Sequence, residues 1–233
     1  PIKTIEQQDI QLLHRIRDRH VGNRTALVNQ IRGQLSEYGV IMPKSWRKLQ
    51  EELPFTLEDA ENQLSHLARE RTAIQYEELQ SLNKKIGADE KRLKLYLRDN
   101  EDYHRLLEIP GFGPIVASAF VAAIGQAKQF KTARDMAVWL GLTPRQIANG
   151  EKSKLVGTTK RGNRSLRTMI THGARAVVSR CDHKSDALNV WIKTLIERRG
   201  RNKAIVALAH KLVRFAWVIL NRKEHYKAPL LVS

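Results

Sequence analysis

Apolar residues in the first part of the chain recur at helical spacing. Over the proline-free stretch 4–38 they are mostly three, four or seven residues apart: Ile5, Leu12, Ile16, Leu27, Ile31 and Leu35. Residues at these intervals share one face of a helix, so the pattern predicts a single long amphipathic helix. Arginines occupy the opposite face, and Gly39 and Pro43 are expected to end the helix.

A second long helix is predicted over residues 56–99, after a connector at 39–55. Thr56 is expected to cap its first turn. Its apolar seam consists of Leu79, Leu82, Ile86, Leu93 and Tyr96. Two such stripes joined by a bend predict an antiparallel helical hairpin or a coiled coil. Because Gly87 and Asp89 interrupt the seam, an intramolecular hairpin and a dimerising coiled coil both remain open.

The composition changes near Tyr103, where glycine, alanine and shorter helical segments take over. We therefore expect a long-helix, coiled-coil region over 1–102 and a compact helical domain over 103–233. Helices in the second domain are predicted at 114–125, 132–140, 162–180, 186–198 and 201–221. The stretch 141–161 is rich in glycine and proline and is predicted to be loop, with no strands. The expected fold class is all-α.

The charge balance is strongly basic. The chain holds 41 Lys and Arg against 24 Asp and Glu, a formal net charge of +17 at pH 7. Such an excess commonly neutralises a polyanion and releases its counterions, so we expect a nucleic-acid partner. An anionic membrane surface is the main alternative. No apolar run approaches the roughly 20 residues of a spanning helix, and no membrane partner is expected.

Tight backbone geometry is predicted at 109–114, with the sequence IPGFGP. Gly111 and Gly113 allow backbone conformations closed to other residues and leave main-chain N–H groups open to a phosphate. Pro114 fits the first turn of a following helix, whose N-terminus adds partial positive charge. The pattern is typical of a helix-hairpin-helix that holds a nucleic-acid backbone. The alternative is a tight turn between two packed helices.

A basic segment over 152–180 contains no acidic residue. Its hydroxyls, amide and cations are groups that contact phosphates, so the segment predicts a phosphate track. Together with the glycine turn, the expected nucleic-acid-binding residues are Gly111, Gly113, Arg145, Lys152, Lys154, Thr159, Lys160, Arg161, Asn163, Arg164 and Arg167.

Little else in the sequence indicates chemistry. Cys181 is the only cysteine, which excludes an internal disulfide and a thiolate-rich zinc site and favours a reducing, cytoplasmic setting. The acids fall mainly on predicted helices and in no metal-binding spacing, so no metal or other cofactor is expected in this chain. Asp182, His183 and Asp186 are interpreted as a helix cap.

Four segments occur in a specific order along the C-terminal domain. They are 109–114 (IPGFGP), 139–146 (WLGLTPRQ), 159–164 (TKRGNR) with 166–167 (LR), and 172–176 (HGARA). As an ordered set they resemble the transposases of the insertion sequence 110 family, including its 1111 subgroup. The opening residues 1–39 resemble the helical region that follows the N-terminal domain of that family.

The resemblance implies a recombinase that cuts and rejoins DNA. Such proteins carry an N-terminal RuvC-like domain whose four acids bind divalent metal, Mg²⁺, and then a coiled coil and a transposase domain. They are guided by a structured RNA and assemble as homo-oligomers, dimers or tetramers, on DNA in the prokaryotic cytoplasm and nucleoid. The metal-binding acids would precede Pro1, which with its immediate helical pattern leads us to expect a longer protein.

The resemblance also implies a serine nucleophile in the loop after Leu-Thr-Pro-Arg. Asn149 stands at that position here, and its amide cannot form the covalent phosphodiester link of a serine hydroxyl. Ser153 is the alternative nucleophile if the alignment is shifted. On this interpretation the chain is inactive alone. A non-catalytic helix-hairpin-helix module that binds DNA or RNA is the alternative function.

Overall fold

The computed structural model describes residues 3–149 and 152–228, with the backbone alone for 147–149 and 152–155. Helices dominate, which confirms the all-α class. The elements are α1 (Ile5–Glu37), α2 (Trp46–Glu58), α3 (His66–Tyr96), α4 (Glu101–Leu107), α5 (Pro114–Ile124), α6 (Ala133–Trp139), β1 (Pro144–Asn149), β2 (Lys152–Thr158), α7 (Arg164–Val178), α8 (Ala187–Arg199) and α9 (Arg201–Arg222), with a 3₁₀ turn at Cys181–His183.

Contacts divide the chain into two compact units. The hairpin unit is Leu12–Leu95, and the C-terminal unit combines Pro1–Gln11 with Tyr96–Ser233. The first residues of α1 join the C-terminal unit because the side-chain amides of Gln7 and Gln11 donate hydrogen bonds to carbonyls of α5. The predicted domain boundary between residues 102 and 103 stays a prediction, because these units are defined by contacts in space and not by independent folding.

Antiparallel packing of the two long helices builds the hairpin unit. Arg17 of α1 pairs with Glu90 of α3 at 2.6 Å, and Arg24 of α1 donates a hydrogen bond to the Asn83 side chain of α3 at 3.1 Å. The partners in α3 have falling residue numbers as those in α1 rise, so the two helices are antiparallel. The core between them and α2 is aliphatic: Leu27, Val28, Ile31, Leu35, Met42, Leu49, Leu53, Leu64, Leu79 and Leu82. Asp89 is accommodated in the seam because its carboxylate pairs with the His20 ring at 2.8 Å.

Two expectations for this unit are wrong. The predicted connector at 39–55 contains most of α2, which the sequence pattern missed because Pro54 lies inside that helix and proline usually breaks helices. Thr56 consequently lies in the last turn of α2 instead of capping the next helix. The hydroxyl of Ser65 takes that role at α3, where it accepts the backbone N–H of Ala68 at 3.1 Å.

The apolar stripes are also shorter than predicted. Ile5 and Leu12 of α1 are 78% and 55% exposed, and Tyr96 of α3 is 43% exposed. Periodicity identifies which residues share a helix face, but it does not show which part of that face is buried against other helices. Burial along these stripes is therefore set by the partners of each helix.

Helix α9 is the centre of the C-terminal unit, where α4, α6, α7 and α8 all pack against it. By length and composition α9 is long and apolar enough to cross a membrane, although Lys211 and Arg214 interrupt its apolar run. Half of its most apolar 18-residue window is buried inside the unit. That burial is typical of a core helix.

The predicted loop at 141–161 contains an antiparallel pair of strands instead. Arg145 pairs with Val156, and Ala148 pairs with Ser153, with an irregularity at Pro144. No strand pattern is visible in this part of the sequence because the two segments are short and mostly polar, without regular alternation. The strands project from the end of α6 and return to the start of α7.

Candidate nucleic-acid interface

The glycine turn lies between α4 and α5 and is held from both sides. Gly111 has φ +86°, and a Cβ added to it would lie 2.8 Å from the carbonyl oxygen of Gly173 in α7. Phe112 is buried, and its ring meets that of Phe120 edge-on at 4.8 Å. Gly111 is therefore required by the packing of the turn on α7, as the alternative of a tight turn between packed helices expects.

Gly113 differs from Gly111 in every respect that matters for packing. It is exposed, its φ is −77°, and a Cβ added to it would meet nothing within 4 Å. It is the N-cap of α5 without a side-chain cap, and Pro114 occupies the first turn as predicted. The packing of the fold therefore does not require a glycine at this position.

A second pair of glycines brings two distant motifs together. A Cβ on Gly162 would overlap the carbonyl of Trp139, and a Cβ on Gly141 would overlap the backbone of Arg161. Backbone hydrogen bonds join the same segments, with the N–H of Lys160 donating to the carbonyl of Gly141 at 3.2 Å. Gly141 was not among the predicted site residues. Its available signal was a glycine directly after a helix end.

Exposed cations surround this close-packed junction, which forms the base of the β1–β2 hairpin. They are Arg145, Lys160, Arg161 and Arg164. Within residues 3–149 and 152–228 none of the four has an ion-pair partner. Thr159 joins the junction through its backbone N–H, which donates to the carbonyl of Thr143 at 3.0 Å. The junction thus concentrates positive charge that no carboxylate of the described residues compensates by an ion pair.

Two further predicted residues serve the architecture of the junction. The Asn163 side chain caps α7 by accepting the backbone N–H of Leu166 at 3.1 Å. Arg167 is half-buried, and its guanidinium donates to the carbonyls of Leu140 and Arg161 at 3.0 and 3.3 Å. Through these hydrogen bonds both side chains stabilise the loops that carry the exposed cations.

The remaining predicted residues lie on the β1–β2 hairpin. Asn149 is the last residue of β1, and its partner across the ladder is Lys152; Ser153 and Lys154 follow in β2. The side chains of these four residues lie outside the described part of the structure. The loop expected to carry the nucleophile position is therefore a strand.

Acidic residues form no metal site in the described chain, where no group of three or more His, Cys, Asp or Glu could hold an ion. The family resemblance assigns the divalent metal to a separate N-terminal domain, so no step through a metal is assigned to the residues described here. Asp186 caps α8 by accepting the N–H groups of Leu188 and Asn189, as predicted.

Comparison with known proteins identifies relatives along nearly the whole chain. Residues 103–189 match the family model described as Transposase IS116/IS110/IS902 family. The chain is 43% identical to the transposase for insertion sequence element IS1111A of Coxiella burnetii, covering 97% of this chain and 62% of that protein. It is 41% identical to the "Probable family 20 transposase" of Pseudomonas aeruginosa, covering 97% and 68%. The chain thus spans roughly two thirds of these relatives.

Proposed function

Because this chain belongs to the IS116/IS110/IS902 family of transposases, we propose that it is the DNA-binding and recombination part of an insertion-sequence transposase. It acts on DNA in the prokaryotic cytoplasm. The observation that carries the proposal is the set of exposed cations around the Gly141–Gly162 junction, which have no ion-pair partner among the described residues.

The grip on DNA has two parts. Arg145, Lys160, Arg161 and Arg164 contact backbone phosphates as cations, which gives affinity without reading bases. At Gly113 the open N-terminus of α5 receives a further phosphate on its free N–H groups. This is the role expected of a helix-hairpin-helix, with Gly111 shaping the turn and Gly113 admitting the ligand.

Charge removal at the junction tests the first part. Lys160→Ala with Arg161→Ala should reduce the slope of log K against log salt by about 2, since each lost phosphate contact removes about 0.9. Anisotropy of a labelled duplex between 50 and 200 mM salt measures the slope. Lys84→Ala with Lys85→Ala, an exposed cation pair of the hairpin unit, is the charge-matched control and should leave the slope unchanged. Equal slopes in all three proteins would refute the junction as the DNA contact.

Substitution of the open glycine tests the second part. Gly113→Ser keeps an N-cap residue and should preserve or raise stability, because serine caps at least as well as glycine. The new side chain would obstruct the N–H groups, so duplex affinity should fall. Affinity equal to wild type at unchanged stability would mean that no phosphate approaches α5.

Catalysis in the complete protein requires more than this chain's described residues. We propose a serine hydroxyl at position 149 as the nucleophile in active relatives, a metal-binding N-terminal domain, a structured guide RNA, and assembly as a homo-oligomer. Asn149→Ser in the full-length protein should restore strand cleavage and a covalent protein–DNA adduct. If instead the full-length protein cleaves DNA with Asn149 in place and Ser153→Ala abolishes that cleavage, the nucleophile lies at 153.

Binding without cleavage is the second candidate function, and Asn149 favours it, because an amide cannot form the covalent link. In that case the chain is a non-catalytic DNA- or RNA-binding module. It should then bind duplexes with the salt dependence described above, and full-length protein should cut no strand with or without Asn149→Ser.

A further inference from the structure

We propose that α9 and its neighbours form a second phosphate-binding surface, separate from the Gly141–Gly162 junction, that takes the phosphodiester backbone of a nucleic acid. We call it the α9 face. It consists of Arg134 of α6, Trp191 of α8, and His210, Lys211 and Arg214 of α9.

Basic residues dominate the charge of this face, since the acids of helices α6, α8 and α9 are limited to Asp135 and Glu197. Helix α9 carries five Lys and Arg and no Asp or Glu. Its neighbours α6 and α8 pack directly against it. The acid of α6, Asp135, is engaged in the capping box with Thr132, where its carboxylate accepts the backbone N–H at 2.9 Å.

Lys211 is held in place by an aromatic ring instead of by a carboxylate. Its Nζ lies 4.3 Å from the centre of the Trp191 ring, and the side chain is half-buried. A cation–π contact fixes the ammonium group but satisfies none of its three N–H donors. An ordered ammonium group with free donors loses less side-chain entropy on binding a phosphate than a mobile surface lysine does.

The cations of the α9 face are close enough to repel one another. Burial, Arg214 and Arg134 lower the pKa of His210, and burial and Arg214 lower the pKa of Lys211. Among the residues that the structure describes, none of the four basic side chains forms an ion pair. A bound anion would relieve this repulsion, so the face gains most from a partner that brings several negative charges.

A nucleic-acid backbone fits this surface better than a membrane. The charges are spread over α6 and α9 as discrete donors that suit successive phosphates. The apolar side of α9, including Leu208, Leu212 and Ala216, is buried in the unit and unable to insert into lipid. Duplex DNA and RNA carry the same phosphodiester group, so either could supply the ligand.

The test removes two exposed cations of the face, with Arg134→Gln and Arg214→Gln, in wild type and in the Lys160→Ala, Arg161→Ala background. Duplex DNA and a single-stranded RNA of equal length are titrated separately between 50 and 200 mM salt. For the nucleic acid that occupies the face, the salt slope should fall in both backgrounds by about 1.8 for duplex DNA or about 1.4 for single-stranded RNA, because distant contacts add. The fold-loss of affinity between 50 and 200 mM salt should then be about tenfold smaller in the variant than in its parent protein. Lys84→Gln with Lys85→Gln is the matched control.

A second readout reports on the face directly. The C2–H resonance of His210, assigned with His210→Gln, gives its pKa with and without saturating nucleic acid, and binding should raise that pKa towards its ordinary value. If only one of DNA and RNA raises it, that one is the ligand. An unchanged pKa and slope with both, or a response to phosphatidylglycerol vesicles alone, overturns the proposal. If the salt slope and the His210 pKa respond as expected but the Lys160→Ala, Arg161→Ala variant binds like wild type, the proposed DNA contact at the junction is refuted and the α9 face is not.

Discussion

The contact between the glycine turn and α7 makes Gly173→Ala a demanding test of the fold. In an exposed helix, alanine in place of glycine stabilises by about 1 kcal/mol. At position 173, however, the added Cβ would overlap the carbonyl group of Gly111, and both partners are backbone. Overpacking costs about 1–3 kcal/mol, and the rigidity of both partners places this case at the upper end. The expected net loss is therefore about 2 kcal/mol of unfolding free energy.

Urea unfolding followed by tryptophan fluorescence measures this change, since Trp139, Trp191 and Trp217 belong to the C-terminal unit. Gly87→Ala is the matched control. Gly87 is an exposed glycine of α3 with nothing within 4 Å of an added Cβ, so this variant should gain about 1 kcal/mol, read by amide exchange in the hairpin unit. The two variants should therefore change the unfolding free energy in opposite directions. A stabilising Gly173→Ala would refute the close approach of the turn to α7.

Two further predictions concern a helix cap and a buried histidine. Asn163→Ala should lower the unfolding free energy of the C-terminal unit by about 1 kcal/mol through loss of the α7 cap, and leave the salt slope of duplex binding unchanged; a reduced slope with unchanged stability would instead make Asn163 a phosphate contact. Burial and Arg17 lower the pKa of His14 from 6.5 to about 4, so the unfolded chain binds the extra proton. The hairpin unit should have its full stability above pH 6.5 and lose up to about 3 kcal/mol as the pH falls towards 4. Amide exchange of Ile31 and Leu79 measures this loss; it should vanish in His14→Leu and persist in His66→Gln, which alters an exposed ring.

The predictability of the site differed from residue to residue. Pro114 at the first turn of α5 and Asp186 at the cap of α8 were predictable because each depends on neighbours within a few positions. The two roles of Gly111 and Gly113 were not separable by sequence, since both are glycines in the same turn. Only the distance to Gly173 distinguishes them.

Sequence patterns among neighbouring residues determined most of the helices. Periodicity and caps predicted α1, α5, α6, α7, α8 and α9 with ends close to those observed, because helical hydrogen bonds join residues four apart. The excess of positive charge, and the ordered motifs that carry the family resemblance, were likewise present in the sequence. These features need no contact between distant residues.

Tertiary packing decided the rest. Several contacts join segments that are separated along the chain. They are the approach of Gly141 to Arg161 and of Gly111 to Gly173, the hydrogen bond from Arg167 to the carbonyl of Leu140, and the β1–β2 pairing. No local pattern encodes such meetings, because their free energy comes from surfaces that exist only once the helices have packed. The sequence alone therefore determined where most of the helices form and how basic they are, whereas the tertiary structure decided which of the basic residues lie close together.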